Sequence, residues 1–147
     1  MEKRKLKVGF TGTQKGMTFK QHDHLADFLE IIGNGISEFH HGDCIGADEE
    51  FHGLCEVLNG EIIIHPPINE SKRSFCNGII LDSKEYLERN HDIVDQTDCM
   101  IVCPDSKKEK LRSGTWATFR YAMKKSKPIF VFYPDGTNKN YNYLEKF

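Results

Sequence analysis

No segment of the sequence approaches the run of about twenty apolar residues that spans a bilayer, and none has the layout of a secretory signal. The five cysteines are odd in number and form no CxxC pair, which speaks against a disulfide framework and against zinc-ribbon spacing. Charge of one sign is also scarce. The formal net charge is −2, so no global positive field draws the chain to nucleic acid or an anionic membrane. Neither common phosphate-loop signature is present: Gly9, Gly12 and Gly16 do not space as GxGxxG, and no GK[ST] occurs. Low-complexity segments and internal repeats are absent too. A soluble, cytoplasmic protein with reduced thiols is the expectation.

What is there is an alternation. At 147 residues the chain has the size of one domain, and short apolar runs take turns with helical patterns. The runs at 6–11 (LKVGFT), 38–41 (EFHH), 61–65 (EIIIH), 99–103 (CMIVC) and 128–133 (PIFVFY) read as strands. Between them, a helix capped by Thr18 carries Phe19, Leu25, Phe28, Leu29 and Ile32 on one face. A second runs from about Ala47 to Leu58. A third begins at Ser83, with Tyr86, Leu87, Ile93 and Val94 as core contacts, and a fourth ends near Lys125. Such alternation predicts an α/β fold: a single doubly wound, mostly parallel, five-stranded sheet with helices on both faces. Residues 1–136 form this domain, and 137–147 form a C-terminal tail that packs back as a short helix or frays. The stretch 66–82 shows little periodicity, and so long a connection suggests a segment serving a site or a mobile one.

Sheets of this kind bind ligands beyond the carboxyl ends of their strands, where the strand order reverses. Three loops leave strand ends there and open helices: Gly9 to Thr13, His41-Gly42 through Gly46-Ala47-Asp48, and Ser113-Gly114-Thr115. Glycines let backbone N–H groups approach a ligand, and a helix N-terminus favours an anion. Thr13, Ser113 and Thr115 add hydroxyls, so a phosphate is the natural guest.

The set GFTGT, HGDCIGAD, RNHDIVDQTD and SGT, in that order over residues 6–133, resembles the SLOG superfamily of Rossmann-like nucleotide-binding domains. This grouping includes Lonely Guy phosphoribohydrolases, the DNA-processing protein A family and YspA-type proteins. The resemblance implies that Gly12 and Thr13 line a base or phosphate pocket, with Gly42 in the second loop. It implies that Gly46, Ala47 and Asp48 form the second wall, Asp48 lying near ribose hydroxyls or capping its helix. Ser113, Gly114 and Thr115 would hold the phosphate, and Arg89 beside Asn90 would contact phosphate or sugar. Homo-oligomerisation is common among the proteins resembled, and no cofactor is implied. Lonely Guy enzymes carry PGGxGTxxE, whose glutamate takes part in cleaving an N-glycosidic bond. Here Thr118 stands at that position, and RKxxM is only partly kept, from Arg89 to Ile93. A hydroxyl cannot act as that carboxylate does. The expected function is therefore binding of a nucleotide or nucleotide-derived phosphorylated ligand. The alternative is an N-glycosidic hydrolase of nucleoside monophosphates in which Asp48 or Asp43, or else Asp92, supplies the carboxylate.

Other residues read more plainly. Cys44 precedes a helix N-terminus, where a thiol is activated if a base is near, but a small buried thiol is the commoner outcome. His22 and His24 diverge on their helix, and His40 and His41 alternate across a strand, so no structural metal is expected. Lys107, Lys108, Lys110 and Arg112, with Lys124, Lys125 and Lys127, suit a solvated surface, phosphate attraction or, as a third reading, a single-strand DNA groove. Nucleic acid is not the expected partner. Trp116, Phe75, Phe119, Tyr121 and Tyr133 read as packing residues.

Overall fold

The segment Cys99–Cys103 is buried at every position, and its side chains divide by parity. Cys99, Ile101 and Cys103 enter one hydrophobic cluster, while Met100 and Val102 enter another. Ile129–Phe132 divides in the same way, with Phe130 and Phe132 on the first side and Ile129 and Val131 on the second. A strand apolar on both faces must be covered on both, and this dictates the three-layer arrangement.

The computed structural model describes residues 5–142. Their elements are β1 (Leu6–Gly12), α1 (Phe19–Ile32), β2 (Ile36–His41), α2 (Ala47–Cys55), β3 (Glu61–Ile64), β4 (Ile79–Ile80), α3 (Tyr86–Asp95), β5 (Cys99–Cys103), α4 (Gly114–Lys124), β6 (Ile129–Phe132) and β7 (Asn138–Tyr141). The sheet runs β4-β3-β2-β1-β5-β6-β7. All pairings are parallel except β6 with β7. α1 and α2 cover one face through Leu25, Leu29, Ala47 and Phe51. α3 and α4 cover the other through Ile93, Val94, Trp116, Phe119 and Ala122. The chain builds leftward from β1 to β4 and then rightward from β5, so the order reverses between β1 and β5.

The sheet thus has seven strands where the sequence pattern suggests five. β4 is two residues inside the irregular stretch 66–82. β7 is polar (NKNY) and makes the tail an antiparallel edge strand in place of a short helix or frayed end. Tyr143, Leu144 and Phe147 of that tail lie outside the described residues. α3 starts at Tyr86, three residues after Ser83, because Lys84 is held extended beside Pro67: Lys84 N donates to Pro66 O and Lys84 O accepts from Ile68 N, both at 3.2 Å. Three residues expected in the core are exposed: Phe19, Phe75 and Leu87.

Thr18 caps α1 in a capping box with Gln21. Gln21 is itself buried, and its Nε2 donates to Pro104 O at 2.8 Å and to Phe132 O at 2.6 Å. This side chain ties the start of α1 to the carboxyl ends of β5 and β6, the edge on which the cleft opens.

Candidate functional site

A cleft of about 850 Å³ opens at the carboxyl ends of the strands, on the β1/β5 reversal. The loops that line it are first held to one another. Thr13 N donates to Cys103 O at 3.0 Å, and Thr13 O accepts from Ala47 N at 2.9 Å, seating the start of α2 on the β1 loop. Gly46 makes that contact possible. Its φ is +91°, and a Cβ there would collide with the carbonyl of Gln14. Gly46 and Ala47, expected to wall the ligand, do not line the cleft; they join the loops beneath it. Gly12, Thr13, Gly42, Asp48, Arg89, Asn90, Ser113, Gly114 and Thr115 do line it.

Asp48 lies at the start of α2 and is buried. Its Oδ2 accepts from Cys44 N at 3.1 Å, and a further hydrogen bond comes from the backbone of Gly42. Burial pushes its carboxyl up to about 6, against the opposing pull of Arg89 and of those backbone donors. A carboxylate tuned to this range can hold or release a proton near neutrality.

Arg89 is 5% exposed. Its Nη1 donates to Gly42 O and, at 3.2 Å, to His65 O, while Nη2 reaches Cys44 Sγ at 3.6 Å. The guanidinium therefore braces the ends of β2 and β3. A Cβ at Gly42 would occupy its place. Nε is buried with no protein partner, so the Nε edge retains an unused donor. Tyr86, one helical turn earlier, lies beneath the guanidinium with 5.3 Å between its ring centroid and Arg89 Cζ.

At the other end of the cleft, Ser113 caps α4 by accepting from Trp116 N at 3.2 Å. Ala117 N bonds Ser113 O, which leaves the N–H groups of Gly114 and Thr115 outside the helix's own ladder. Lys15, Lys110 and Arg112 line the cleft beside them. Asp105, just past β5, takes Lys15 on Oδ2 at 3.2 Å and Lys110 on Oδ1 at 3.0 Å. Burial works against its charge, but the two lysines outweigh it and hold the carboxyl below its ordinary value.

Two of the candidate carboxylates, Asp43 and Asp92, stand away from the cleft. Asp43 is fully buried and does not line the cleft. Its carboxylate accepts from Arg73 Nε at 2.6 Å, Ser74 Oγ at 3.0 Å and Cys76 N at 2.8 Å, fastening the 66–82 arm to the β2 loop. Asp92 pairs with Lys84 at 2.6 Å, outside the cleft. Thr118 is buried and donates to Gly114 O at 2.9 Å, within α4. Cys44 lines the cleft, but burial pushes its thiol up and away from nucleophilic use. Trp116 is buried, with Nε1 on Ser106 Oγ. Lys107 pairs with Asp135.

The histidines of β2 do diverge: His40 meets His65 at 2.8 Å and His41 meets His52 at 2.9 Å. Ligand atoms of His41, His52 and Cys76 lie within 4.8 Å of one another. However, Asp43 N donates to His41 Nδ1 at 2.9 Å. In the neutral ring that burial enforces, Nε2 must then carry the proton and donate to His52 Nδ1. Metal-bound histidines have the reverse pattern, with the second nitrogen donating. The trio fits a hydrogen-bonded core group and not a ligand set.

Sequence reasoning missed Tyr86, which it placed in the core, and also Asn69, Lys72, Lys15 and Asp105. The signal available for Asn69 and Lys72 was the length of the aperiodic arm that carries them.

No protein-family model and no curated protein matches the chain. A solved structure, the X-ray structure of TM1055, a Northeast Structural Genomics Consortium target, is similar with a TM-score of 0.63 at 14% identity, covering 84% of this chain and 71% of that one. This likeness shows the class: an α/β, Rossmann-like fold with a mostly parallel sheet. No helix among the described residues is long and apolar enough to cross a membrane.

Proposed function

We propose that the protein is a SLOG-type domain that binds a nucleotide or nucleotide-derived phosphorylated ligand in the β1/β5 cleft. One observation carries the reading. The cleft joins a helix N-terminus flanked by Lys15, Lys110 and Arg112 to the buried side chains of Asp48 and Arg89 at its other end. The first suits a phosphoryl group. At the second, Asp48 is an acceptor for sugar hydroxyls, and the Arg89 guanidinium sets a fixed positive charge beside it.

Native mass spectrometry and isothermal titration calorimetry with the four nucleoside 5′-monophosphates test this. The expected result is an intact bound ligand, weakened tenfold or more by Asp48→Ala. Absence of binding across phosphorylated nucleotides would end the proposal.

A second reading, hydrolysis of the N-glycosidic bond, is favoured by the raised proton affinity of Asp48 alone. Release of free base and ribose 5-phosphate, abolished by Asp48→Asn, is the outcome that would replace binding with catalysis.

A further inference from the structure

Two aromatic residues line the cleft among the described residues, Phe10 and Tyr86. Phe10 is 1% exposed, and its ring lies stacked on Phe51 with centroids 4.3 Å apart, so its faces belong to the core. Tyr86 is half-buried and makes no such ring pair among the described residues. Among the described residues its ring meets the Arg89 guanidinium and no other ring or cation. Arg89 is in turn fixed by the carbonyls of Gly42 and His65, which places Tyr86 on the β2/β3 side of the cleft. The cationic helix N-terminus of α4 lies on the β5 side. Two strand spacings separate the ends of β2 and β5 in the sheet order, on the order of 10 Å, about the length of one nucleoside 5′-monophosphate.

We propose that Tyr86 is the nucleobase platform of this cleft, stacking a planar aromatic base on the ring face not taken by Arg89. The inference rests on the function proposed above and narrows it: the ligand class is a base-bearing nucleotide, held phosphate-first at α4, and not a bare sugar phosphate. A guanidinium on one face of an aromatic ring and a base on the other make a three-layer stack in which the ring is fixed before the ligand arrives. Asn69, also in the lining, has its Oδ1 occupied by Ser71 N at 3.1 Å and Ser71 Oγ at 2.7 Å, and offers its Nδ2 donors to a base edge. The platform is not base-specific by itself, because every base has a π-face.

Calorimetry with two probes tests this, each nucleoside 5′-monophosphate against ribose 5-phosphate, on wild type, Tyr86→Leu and Tyr86→Trp. Leucine keeps bulk beneath Arg89 but offers no aromatic plane, whereas tryptophan enlarges it. Wild type is expected to prefer nucleotides over ribose 5-phosphate by about tenfold or more, in keeping with one stacked base. Tyr86→Leu should erase that preference while ribose 5-phosphate affinity stays within about twofold; Tyr86→Trp should keep or widen it. A parallel loss for both probes in Tyr86→Leu would make Tyr86 a support for Arg89 and overturn the inference, as would no change for either. If wild type binds neither probe, the proposed function fails and this inference fails with it. Binding without base preference overturns the platform alone.

Discussion

Replacing Asp48 by asparagine tests the electrostatics of the cleft without any ligand. The two side chains have the same shape, and the amide oxygen can keep accepting from Cys44 N and Gly42 N, but asparagine does not titrate. In the folded protein the Asp48 carboxyl sits at about 6, against an ordinary 3.8. Below about pH 3.8 the group is protonated both folded and unfolded, and contributes no pH dependence. Between the two values the unfolded chain releases a proton that the fold retains, so stability falls as pH rises. Above about pH 6 the whole penalty is present, roughly 3 kcal/mol at 1.36 kcal/mol per pKa unit.

Urea unfolding of wild type and Asp48→Asn, at about pH 4.5 and about pH 8, reads this directly as a difference between the proteins. Other carboxylates act alike in both and cancel. Wild type is expected to lose about 2 kcal/mol relative to the variant between those two pH values, most of the roughly 3 kcal/mol total. A flat difference would mean that Asp48 is not desolvated in solution. A difference of opposite sign would mean that Arg89 and the backbone donors outweigh burial, leaving the carboxylate ionised and held below its ordinary value. Either result refutes the assignment of Asp48 as a group poised to exchange a proton near neutrality.

Other perturbations follow from single contacts. Arg112→Ala should weaken nucleoside 5′-monophosphate binding by about three- to tenfold, with a shallower salt dependence measured by calorimetry at two ionic strengths. Asp105→Asn frees Lys15 and Lys110 and should tighten the same ligands severalfold; a loss would instead make Asp105 the group that aims the lysines. Gly46→Ala, at φ +91° and against the Gln14 carbonyl, should cost about 2–3 kcal/mol in urea unfolding. Asp43→Asn leaves Arg73 without its buried partner and should cost about 3 kcal/mol, with new protease cleavage in the 66–82 arm under limited digestion.

The parts of the fold legible in the sequence are those whose pattern is set by burial on both faces. β5 and β6 are continuous apolar runs because helices cover each side, and Thr18 marks the start of α1 by cap chemistry. β7 has no such pattern. Asn138–Tyr141 is an exposed edge that forms because β6 offers it a ladder, and no local preference of NKNY points to strand. β4 is likewise made by its neighbour β3. Phe19 and Leu87 failed as core residues for a related reason: helical spacing places a side chain on a helix but not the helix on the sheet. For the candidate site, glycine at strand ends marked the edge on which the cleft opens, yet Gly46 is there for loop-to-loop contact and Gly42 for the Arg89 guanidinium. Tyr86 was hidden because an aromatic at the start of a helix looks the same whether it faces a core or a cleft.

This division of labour has a consequence for specificity. Gly42, Asp48 and Arg89 are held together by the Cys44 and Gly42 backbone donors on Asp48 and by the Arg89 guanidinium on the Gly42 carbonyl, so truncating either side chain or adding one at Gly42 disturbs the β2 loop. The side chains that can differ without touching that loop are on the two segments lacking periodicity: Lys72, beside Asn69 which caps its own turn through Ser71, on the arm between β3 and β4, and Lys110 and Arg112 between β5 and α4. The first segment is positioned by the buried Asp43 carboxylate. The second is positioned by Arg120, which bonds Glu109 and the carbonyls of Lys110 and Leu111. A fixed floor with two independently anchored rims means that exchanging either rim should change which ligand is bound while leaving the fold intact.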